Sequence, residues 1–306
     1  MIWVFLIVLA AVFAAPFVIE RLKPEMGPDA RTLAPGQFAT LSDGLTHYQW
    51  RGPQDGPVLV CIHGLTTPSY VYDALAPSLA EAGFRVLTYD LFGRGFSDRP
   101  KGAQTRDFFV RQLDELLQDQ AVSGPVTLLG YSMGGSIATV FAAAHPERVH
   151  ALLLLAPAGM LHNPGKLADW AQKLPVIGDW LFLALAARFL HQGALAQPGP
   201  PEAVTIIAER QALENGFRGY LPAVLSSQRG LLAETLEEDH RDLAELGVPV
   251  AAIWGEADTV IPIAALGRLT EWNRAARQAV IPGAQHGLAF THPAEVLDVI
   301  ASALDP

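Results

Sequence analysis

The feature that most restricts what this chain can fold into is the hexapeptide GYSMGG at residues 130–135, with an apolar strand-like run before it and a helix-like stretch after it. Gly-x-Ser-x-Gly between a strand and a helix is typical of a strained turn that holds a nucleophilic serine at its tip. Side chains at Gly130 and Gly134 would collide where the strand and the helix pass closely beside the serine. The sequence therefore predicts Ser132 as a nucleophile, with the amide N–H of Met133 facing the same space.

Apolar runs of strand length alternate with longer amphipathic stretches along most of the chain. Several of the runs are apolar and β-branched throughout, as in strands that are covered on both faces. This alternation predicts an α/β fold with a mostly parallel central sheet and helices on both of its faces. The predicted strands are Thr46–Trp50, Val58–Ile62, Arg85–Tyr89, Val126–Leu129, His150–Leu155, Val250–Trp254 and Gln278–Ile281. The predicted helices are Tyr70–Ala82, Arg106–Gln120, Met133–Ala144, Ile263–Ala275 and Pro293–Leu304.

The alternation stops between residues 157 and 246, where the chain has the pattern of several helices. We expect this segment to be an insertion that lies over one edge of the sheet. The α/β core then comprises residues 41–156 and 247–306, and residues 21–40, rich in proline, glycine and charge, form a linker. The insertion carries the large apolar side chains of Trp170, Trp180, Phe182, Leu183 and Phe189.

A serine nucleophile needs a base, and the base needs a carboxylate that orients it. The strand Val250–Trp254 is followed by the turn GEADTV, and the strand Gln278–Ile281 by the turn PGAQHG. Open α/β sheets place their ligands at the carboxyl ends of the strands. The predicted acid and base are therefore Asp258 and His286.

Two rival residues lie close to this predicted pair. Glu256 is an alternative acid, although a solvated turn carboxylate also accounts for it, and His292 is an alternative base that precedes Pro293 at a predicted helix start. Six further histidines have no comparable position after a strand: His47, His145, His150, His162, His191 and His240.

The strand Val58–Ile62 ends in the sequence His63-Gly64-Leu65. A backbone N–H after such a strand can supply a second donor to an oxyanion. We predict that the amide of Leu65 has this role, and we interpret His63 as a structural residue that shapes the loop.

Residues 2–19 read IWVFLIVLAAVFAAPFVI and contain no charged or polar side chain. At a rise of 1.5 Å per residue they cover about 27 Å, close to the thickness of the hydrocarbon layer of a bilayer. No basic residue precedes the run, and Pro16 lies where cleavage would be awkward, so we interpret residues 1–20 as an uncleaved membrane anchor. The alternative is an exported enzyme with a cleaved signal peptide. Arg21 and Lys23 follow the run, which favours a cytoplasmic globular part.

The net charge of −10, from 21 basic and 31 acidic side chains, argues against a nucleic-acid partner, which needs clustered Lys and Arg. The single cysteine, Cys61, excludes an intramolecular disulfide framework and a cysteine-rich zinc site. It lies in an apolar run, where a buried thiol is expected.

Five motifs follow one another in an order that resembles the α/β-hydrolase superfamily, in its lid-bearing esterase and lipase branch, which includes monoacylglycerol lipases. They are HGL from His63, DLFGRGFSD at 90–98, GYSMGG around Ser132, GEAD ending at Asp258, and the turn that contains His286. The resemblance covers about residues 35–306. It implies that the loop at 90–98 is structural and that the segment 157–246 is the family's cap.

The resemblance implies that Ser132 is the nucleophile, His286 the base and Asp258 the acid, with the amides of Leu65 and Met133 in the oxyanion hole. Haloalkane dehalogenases and epoxide hydrolases of this fold have aspartate in place of the serine. Ring-fission-product hydrolases usually carry a more glycine-rich loop where this chain has HGLTTPS, which argues against carbon–carbon bond cleavage. Cofactor-free perhydrolases share the serine turn and stay open as an alternative.

We therefore expect a serine hydrolase that cleaves small-molecule carboxylic esters through an acyl-enzyme, without a metal or organic cofactor. The apolar cap and the anchor favour lipophilic, monoacylglycerol-like esters from a membrane. A second class also stays open, because this fold hosts non-catalytic ligand-binding proteins. The sequence does not indicate an oligomeric state.

Overall fold

Eight strands form one sheet in a computed structural model that describes residues 1–304. The strands are β1 (Gln37–Leu41), β2 (Gly44–Arg51), β3 (Val58–Ile62), β4 (Arg85–Tyr89), β5 (Val126–Tyr131), β6 (Val149–Leu155), β7 (Val250–Gly255) and β8 (Arg277–Ile281). Their order across the sheet is β1-β2-β4-β3-β5-β6-β7-β8. The pairs β1–β2 and β2–β4 are antiparallel and the other pairs are parallel, so the predicted α/β fold with a mostly parallel sheet is confirmed.

Helices cover both faces of the sheet, as predicted. The strand side chains alternate between two cores: Val60 and Ile62 of β3 lie in one, and Leu59 and Cys61 lie in the other. The helices are α1 (Ile2–Leu22), α2 (Pro28–Arg31), α3 (Ala76–Glu81), α4 (Arg106–Asp119), α5 (Met133–Ala144), α6 (Lys166–Lys173), α7 (Ile177–Leu195), α8 (Pro201–Glu214), α9 (Tyr220–Arg229), α10 (Glu237–Glu245), α11 (Ala264–Trp272), α12 (Leu288–Thr291) and α13 (Pro293–Leu304). The first core includes α4, α5, α10 and α11, and the second includes α3, α12 and α13.

Two predicted elements differ from the structure. The predicted helix 70–82 is a short 3-10 turn, Ser69–Tyr72, followed by α3. The helix begins only at Ala76 because Pro77 fits the first turn of a helix and not its interior. The strand β1 was not predicted and lies mostly within the expected linker, because its pairing with β2 is not visible in a local pattern.

The segment between β6 and β7 forms the predicted set of helices, α6 to α10. Helices α6, α7 and α9 share a separate apolar cluster that includes Phe182, Tyr220 and Val224. Helix α10 instead packs on α5 and α11, and its Leu243 belongs to a core of the sheet domain. The part of this segment with its own core therefore ends before α10.

Helix α1 is the one helix within residues 1–304 that is long and apolar enough to cross a membrane, on length and composition alone. A signal sequence passes the same test. The last turns of α1 nevertheless contact the folded part of the chain. Pro16 and Glu20 are buried, and the Glu20 carboxylate accepts hydrogen bonds from the Gly219 amide (2.7 Å) and from Lys23 Nζ (2.6 Å).

The contact between α5 and the ends of the central strands has room only for glycine. A Cβ atom at Gly134 would lie 1.9 Å from the Ile62 carbonyl oxygen, and one at Gly130 would lie 2.4 Å from the Gly134 carbonyl oxygen. Both obstacles are backbone atoms, so the clash cannot be relieved by a side-chain rotation. The structure thus agrees with the prediction that a side chain at Gly130 or Gly134 would collide with its surroundings.

We expect Gly134→Ala to lower the free energy of unfolding by at least about 1–3 kcal/mol, because the added methyl overpacks a buried site. The matched control is Gly267→Ala on the exposed face of α11, where no atom lies within 4 Å and alanine should stabilise by about 0.5–1 kcal/mol. Unfolding midpoints of the detergent-solubilised variants measure both effects. Wild-type stability of Gly134→Ala would contradict the packing described here.

Candidate active site

Three polar side chains meet at the carboxyl edge of the sheet, each from a turn that follows a parallel strand. Ser132 follows β5, Asp258 follows β7, and His286 follows β8. Because β5 and β7 are separated only by β6, the first two turns lie side by side above the sheet, and the β8 turn closes the group. The structure thus brings together the three residues that the sequence predicts as a set.

A continuous chain of hydrogen bonds joins the three side chains. The distance from Ser132 Oγ to His286 Nε2 is 2.9 Å, and the distance from His286 Nδ1 to Asp258 Oδ2 is 2.8 Å. The other carboxylate oxygen, Asp258 Oδ1, accepts the amides of Val260 (2.7 Å) and Ile261 (2.9 Å). Because Asp258 is then held on both oxygens, it can fix the tautomer in which Nδ1–H donates to it and Nε2 accepts the serine proton.

Ser132 has a backbone conformation that a residue with a side chain rarely adopts, with φ 54° and ψ −117°. Three backbone hydrogen bonds hold it there: its N–H donates to the Leu155 carbonyl (2.9 Å), and its carbonyl accepts the amides of Gly135 (2.9 Å) and Ala158 (3.1 Å). Such a conformation persists only when the surroundings over-determine it. Its consequence is that Ser132 Oγ stands at the tip of the turn, towards His286.

Met133 and Leu65, whose amides are predicted as oxyanion donors, lie near this serine. Met133 is the first residue of α5, and N–H groups in the first turn of a helix have no partner within the helix. Leu65 lines the same cavity as Ser132. The Leu65 carbonyl is held by the buried guanidinium of Arg94, whose Nε donates to it at 3.0 Å.

The rival residues are engaged elsewhere. The buried ring of His63 bonds to the Gly64 carbonyl through Nδ1 and accepts the Leu91 amide at Nε2, and burial lowers its pKa to about 4. Glu256 accepts the Gly283 amide at 2.9 Å from an exposed position. His292 bonds to Thr291 Oγ1 through Nδ1 at the start of α13.

A cavity of about 340 Å³ opens above Ser132 and His286. Its walls come from the loop after β3, from the turn that carries His286, and from cap helices, and most of the wall is apolar. Helix α7 contributes Phe189 and Leu190, and α8 contributes Ile207. The volume lies at the lower end of the range of small-molecule sites.

Sequence reasoning missed three residues that surround His286. His162 lines the cavity, and its pKa is lowered by burial and by the charge of His286. The Tyr131 hydroxyl donates to the His286 carbonyl (2.9 Å), and Gln197 Oε1, after the end of α7, accepts the Gly287 amide (2.8 Å). Tyr131 lies within the GYSMGG motif, but no local pattern points to the contacts of His162 or Gln197, which depend on the placement of the cap.

Acidic, histidine and cysteine side chains do not gather into a possible metal site anywhere in residues 1–304. The buried thiol of Cys61 has a raised pKa because burial disfavours its thiolate.

Comparisons with known proteins give the family. The sequence model of the alpha/beta hydrolase fold matches residues 57–199. A pimeloyl-[acyl-carrier protein] methyl ester esterase of Aeromonas hydrophila is 30% identical over 261 residues, which cover 80% of this chain and 94% of the relative. The chain belongs to the α/β-hydrolase superfamily. Its relatives include esterases and other hydrolases, which supports hydrolase activity.

Solved structures show the same fold. An esterase from Exiguobacterium antarcticum aligns with a TM-score of 0.75 at 20% identity, covering 89% of this chain and all of that one. The structure described as a membrane phospholipase A aligns with a TM-score of 0.69 at 20% identity and covers 99% of this chain and 96% of its own. The second alignment therefore extends over the N-terminal helix as well.

We expect hydrolase activity to depend on His286 and not on His292. His286→Ala should lower kcat by at least about 10³-fold, because no other ring nitrogen is within reach of Ser132 Oγ. His292→Ala is the matched control and should retain most of the turnover, since this ring bonds only to its neighbour Thr291. Steady-state hydrolysis of a p-nitrophenyl ester measures both, and the reverse ranking would overturn the assignment of the base.

Proposed function

We propose that this protein is a serine esterase that cleaves lipophilic carboxylic esters at a membrane, with Ser132 as nucleophile, His286 as base and Asp258 as the acid that orients it. The observation that carries the proposal is the 2.9 Å contact of His286 Nε2 with the hydroxyl of a serine held in a strained turn. A serine in that position is activated because its proton has an acceptor in place before substrate binds.

The reaction proceeds in two steps. Ser132 Oγ attacks the ester carbonyl while His286 Nε2 takes its proton, and the amides of Leu65 and Met133 stabilise the oxyanion. Each such donor contributes about 3 kcal/mol to the lowering of the barrier. The protonated ring then donates its proton to the alcohol oxygen as the bond between that oxygen and the carbonyl carbon breaks. The product of this step is an acyl-enzyme. Water, deprotonated by the same ring, attacks the acyl carbonyl. The bond between the acyl carbon and Ser132 Oγ then breaks, the ring returns its proton to Oγ, and the acid is released.

The cavity favours an ester with one lipophilic chain. Its apolar wall suits an acyl chain, and its volume of about 340 Å³ suits a single chain better than the whole of a two-chain lipid. Monoacylglycerol-like esters fit both conditions. The names of relatives agree with ester chemistry on acyl groups, since one is a methyl ester esterase and another is described as a membrane phospholipase A.

We further propose that residues 1–20 are a retained anchor and that the globular part lies in the cytoplasm, beside the basic residues Arg21 and Lys23. The support for retention is that the end of α1 is built into the fold through Glu20, which bonds to Gly219 at the start of α9. A segment that is removed on export has no need for such a contact. The core at 41–156 and 247–306 and the cap at 157–246 complete the proposed organisation, with α10 as the part of the cap segment that packs on the core.

We expect a fluorophosphonate probe to label the folded protein at Ser132, and Ser132→Ala to abolish both labelling and ester turnover. Turnover of p-nitrophenyl esters should rise with acyl length until the chain fills the cavity. A flat or falling profile would contradict a lipophilic substrate. Absent labelling in a folded protein would favour the non-catalytic ligand-binding alternative, and peroxide-dependent turnover would favour the perhydrolase alternative.

Carbonate extraction of membranes should leave the full-length chain in the pellet, because the apolar run of α1 is held in the hydrocarbon layer. A variant that lacks residues 1–20 is the matched control and should move to the soluble fraction. Intact mass decides the alternative: a soluble chain shortened at its N-terminus would show that the segment is a cleaved signal peptide.

A further inference from the structure

Helices α6 and α7, with the turn between them, carry a set of large exposed apolar side chains that no other part of residues 1–304 covers. We name this set the apolar ridge. Its members are between 41% and 61% exposed, which is far more than the side chains of a packed helix pair. They are Trp170, Leu174, Val176, Ile177, Leu185 and Phe189. Exposed apolar patches of this kind mark an interaction surface.

The ridge continues into the candidate membrane-spanning helix through a specific contact between α1 and α7. Pro16 has no N–H, so the carbonyl of Val12 lacks its usual donor four residues later in the helix. The indole Nε1–H of Trp180 donates to this Val12 carbonyl at 3.3 Å. In a hydrocarbon layer a backbone carbonyl without a partner is costly, so a donor from a neighbouring helix is what the chain needs at this point.

This contact fixes the depth of the cap relative to α1. Val12 precedes Ile19, the last residue of the apolar run, by seven residues, which correspond to about 10 Å along a helix. When the apolar run fills the hydrocarbon layer, Trp180 therefore lies about 10 Å inside its boundary. Ile177 lies within one turn of Trp180 on the same helix and must share that depth to within about 5 Å.

We propose that the apolar ridge is immersed in the bilayer beside α1, so that the cap is itself a part of the membrane-bound surface. The inference rests on the proposed retention of α1 as an anchor. The occupant that covers the ridge is lipid, because a ridge that begins at the depth of Val12 cannot stand in water while α1 crosses the membrane.

Two acidic side chains near the ridge are paired within the protein, and Arg188 of α7 is exposed between the ridge residues Leu185 and Phe189. Asp179, next to Trp180, is paired with Arg229 (2.6 Å), so its carboxylate is neutralised within the protein. Lys173 pairs with Asp169 at an exposed position. Its long side chain can run along apolar surface and place the ammonium group at the lipid headgroups.

The same helix connects the bilayer with the cavity. Phe189 belongs to the ridge and also lines the cavity above Ser132. In this proposal Phe189 lies where membrane-borne substrate enters the cavity. The reaction then consumes esters as they lie in the membrane.

The depth of the ridge can be measured with single-cysteine labels on the full-length chain. Cys61 is buried, so an introduced cysteine is the accessible thiol. Ile177→Cys, labelled with an NBD fluorophore and reconstituted into phosphatidylcholine vesicles, should emit at short wavelength and lose most of its emission to a doxyl quencher on the lipid acyl chains. Leu246 has the same 56% exposure as Ile177 and lies between α10 and β7, at the amino end of the strands. A label on Leu246→Cys should show neither effect.

Val8→Cys in the middle of α1 separates the two proposals. If labels at 8 and 177 are both quenched, the immersion is supported. If only the label at 8 is quenched, the anchor stands and the immersion is wrong. If neither label is quenched, the anchor proposal and the immersion proposal are both wrong. A label at 177 whose emission shifts with protein concentration but not with the quencher would assign the ridge to a contact with a second copy of the chain.

A charge in the ridge should act selectively on membrane-borne substrate. Ile177→Glu should lower hydrolysis of monoacylglycerol in vesicles by about tenfold or more, since a carboxylate resists immersion in hydrocarbon. The Ile177→Glu variant should hydrolyse soluble p-nitrophenyl butyrate at the wild-type rate. The control variant Leu246→Glu should hydrolyse both substrates at the wild-type rate. Equal loss on both substrates would overturn the inference, because the effect would then lie in the site and not at the membrane.

Discussion

The structure depends on the close approach of α5 to the ends of β3 and β5, which only glycine at positions 130 and 134 permits. This approach forces Ser132 into its positive-φ conformation. Its N–H donates to the Leu155 carbonyl at the end of β6, and its carbonyl accepts the amides of Gly135 and Ala158, which hold it there. The strand β5 is buried along its whole length, so the turn at its end cannot relax. Parallel pairing then sets the turns after β7 and β8 at the same edge, where Asp258 and His286 meet Ser132.

Much of the fold and most of the site were predictable because the signals are local. Ser132 directly follows β5, and Asp258 and His286 lie in the turns after β7 and β8. The ends of neighbouring strands in a parallel sheet lie at one edge, so these turns come together. The strand β1 and the contacts of His162 and Gln197 were not predictable, because each depends on a partner far along the chain. Pro77 did carry a local signal that shortens the helix predicted over 70–82 to α3.

A buried arginine side chain connects the segment between β6 and β7 with the sheet domain, and no sequence motif predicts this contact. Arg94 belongs to the 90–98 loop, and besides the Leu65 carbonyl it bonds to the Ala223 carbonyl (3.3 Å) and to Ser227 Oγ (2.7 Å), both on α9. Burial lowers its pKa only to about 10, so the guanidinium keeps its charge at neutral pH. The loop that carries the Leu65 amide and the cap helix α9 are therefore held by one cation.

The bond of Glu20 to Gly219 has a wider consequence for an anchor that spans a bilayer. A helix joined to its domain by a flexible linker can tilt without rotating the domain. In the last turn of α1, by contrast, the Glu20 carboxylate accepts a hydrogen bond from the Gly219 amide, directly before α9. Bilayers of different thickness change the tilt of a spanning helix. With α1 anchored as proposed, a change of tilt would rotate the globular part and change the direction in which the cavity entrance faces the lipid. The thickness of the surrounding bilayer would then set the orientation of the cavity entrance through the contact of the buried Glu20 with Gly219.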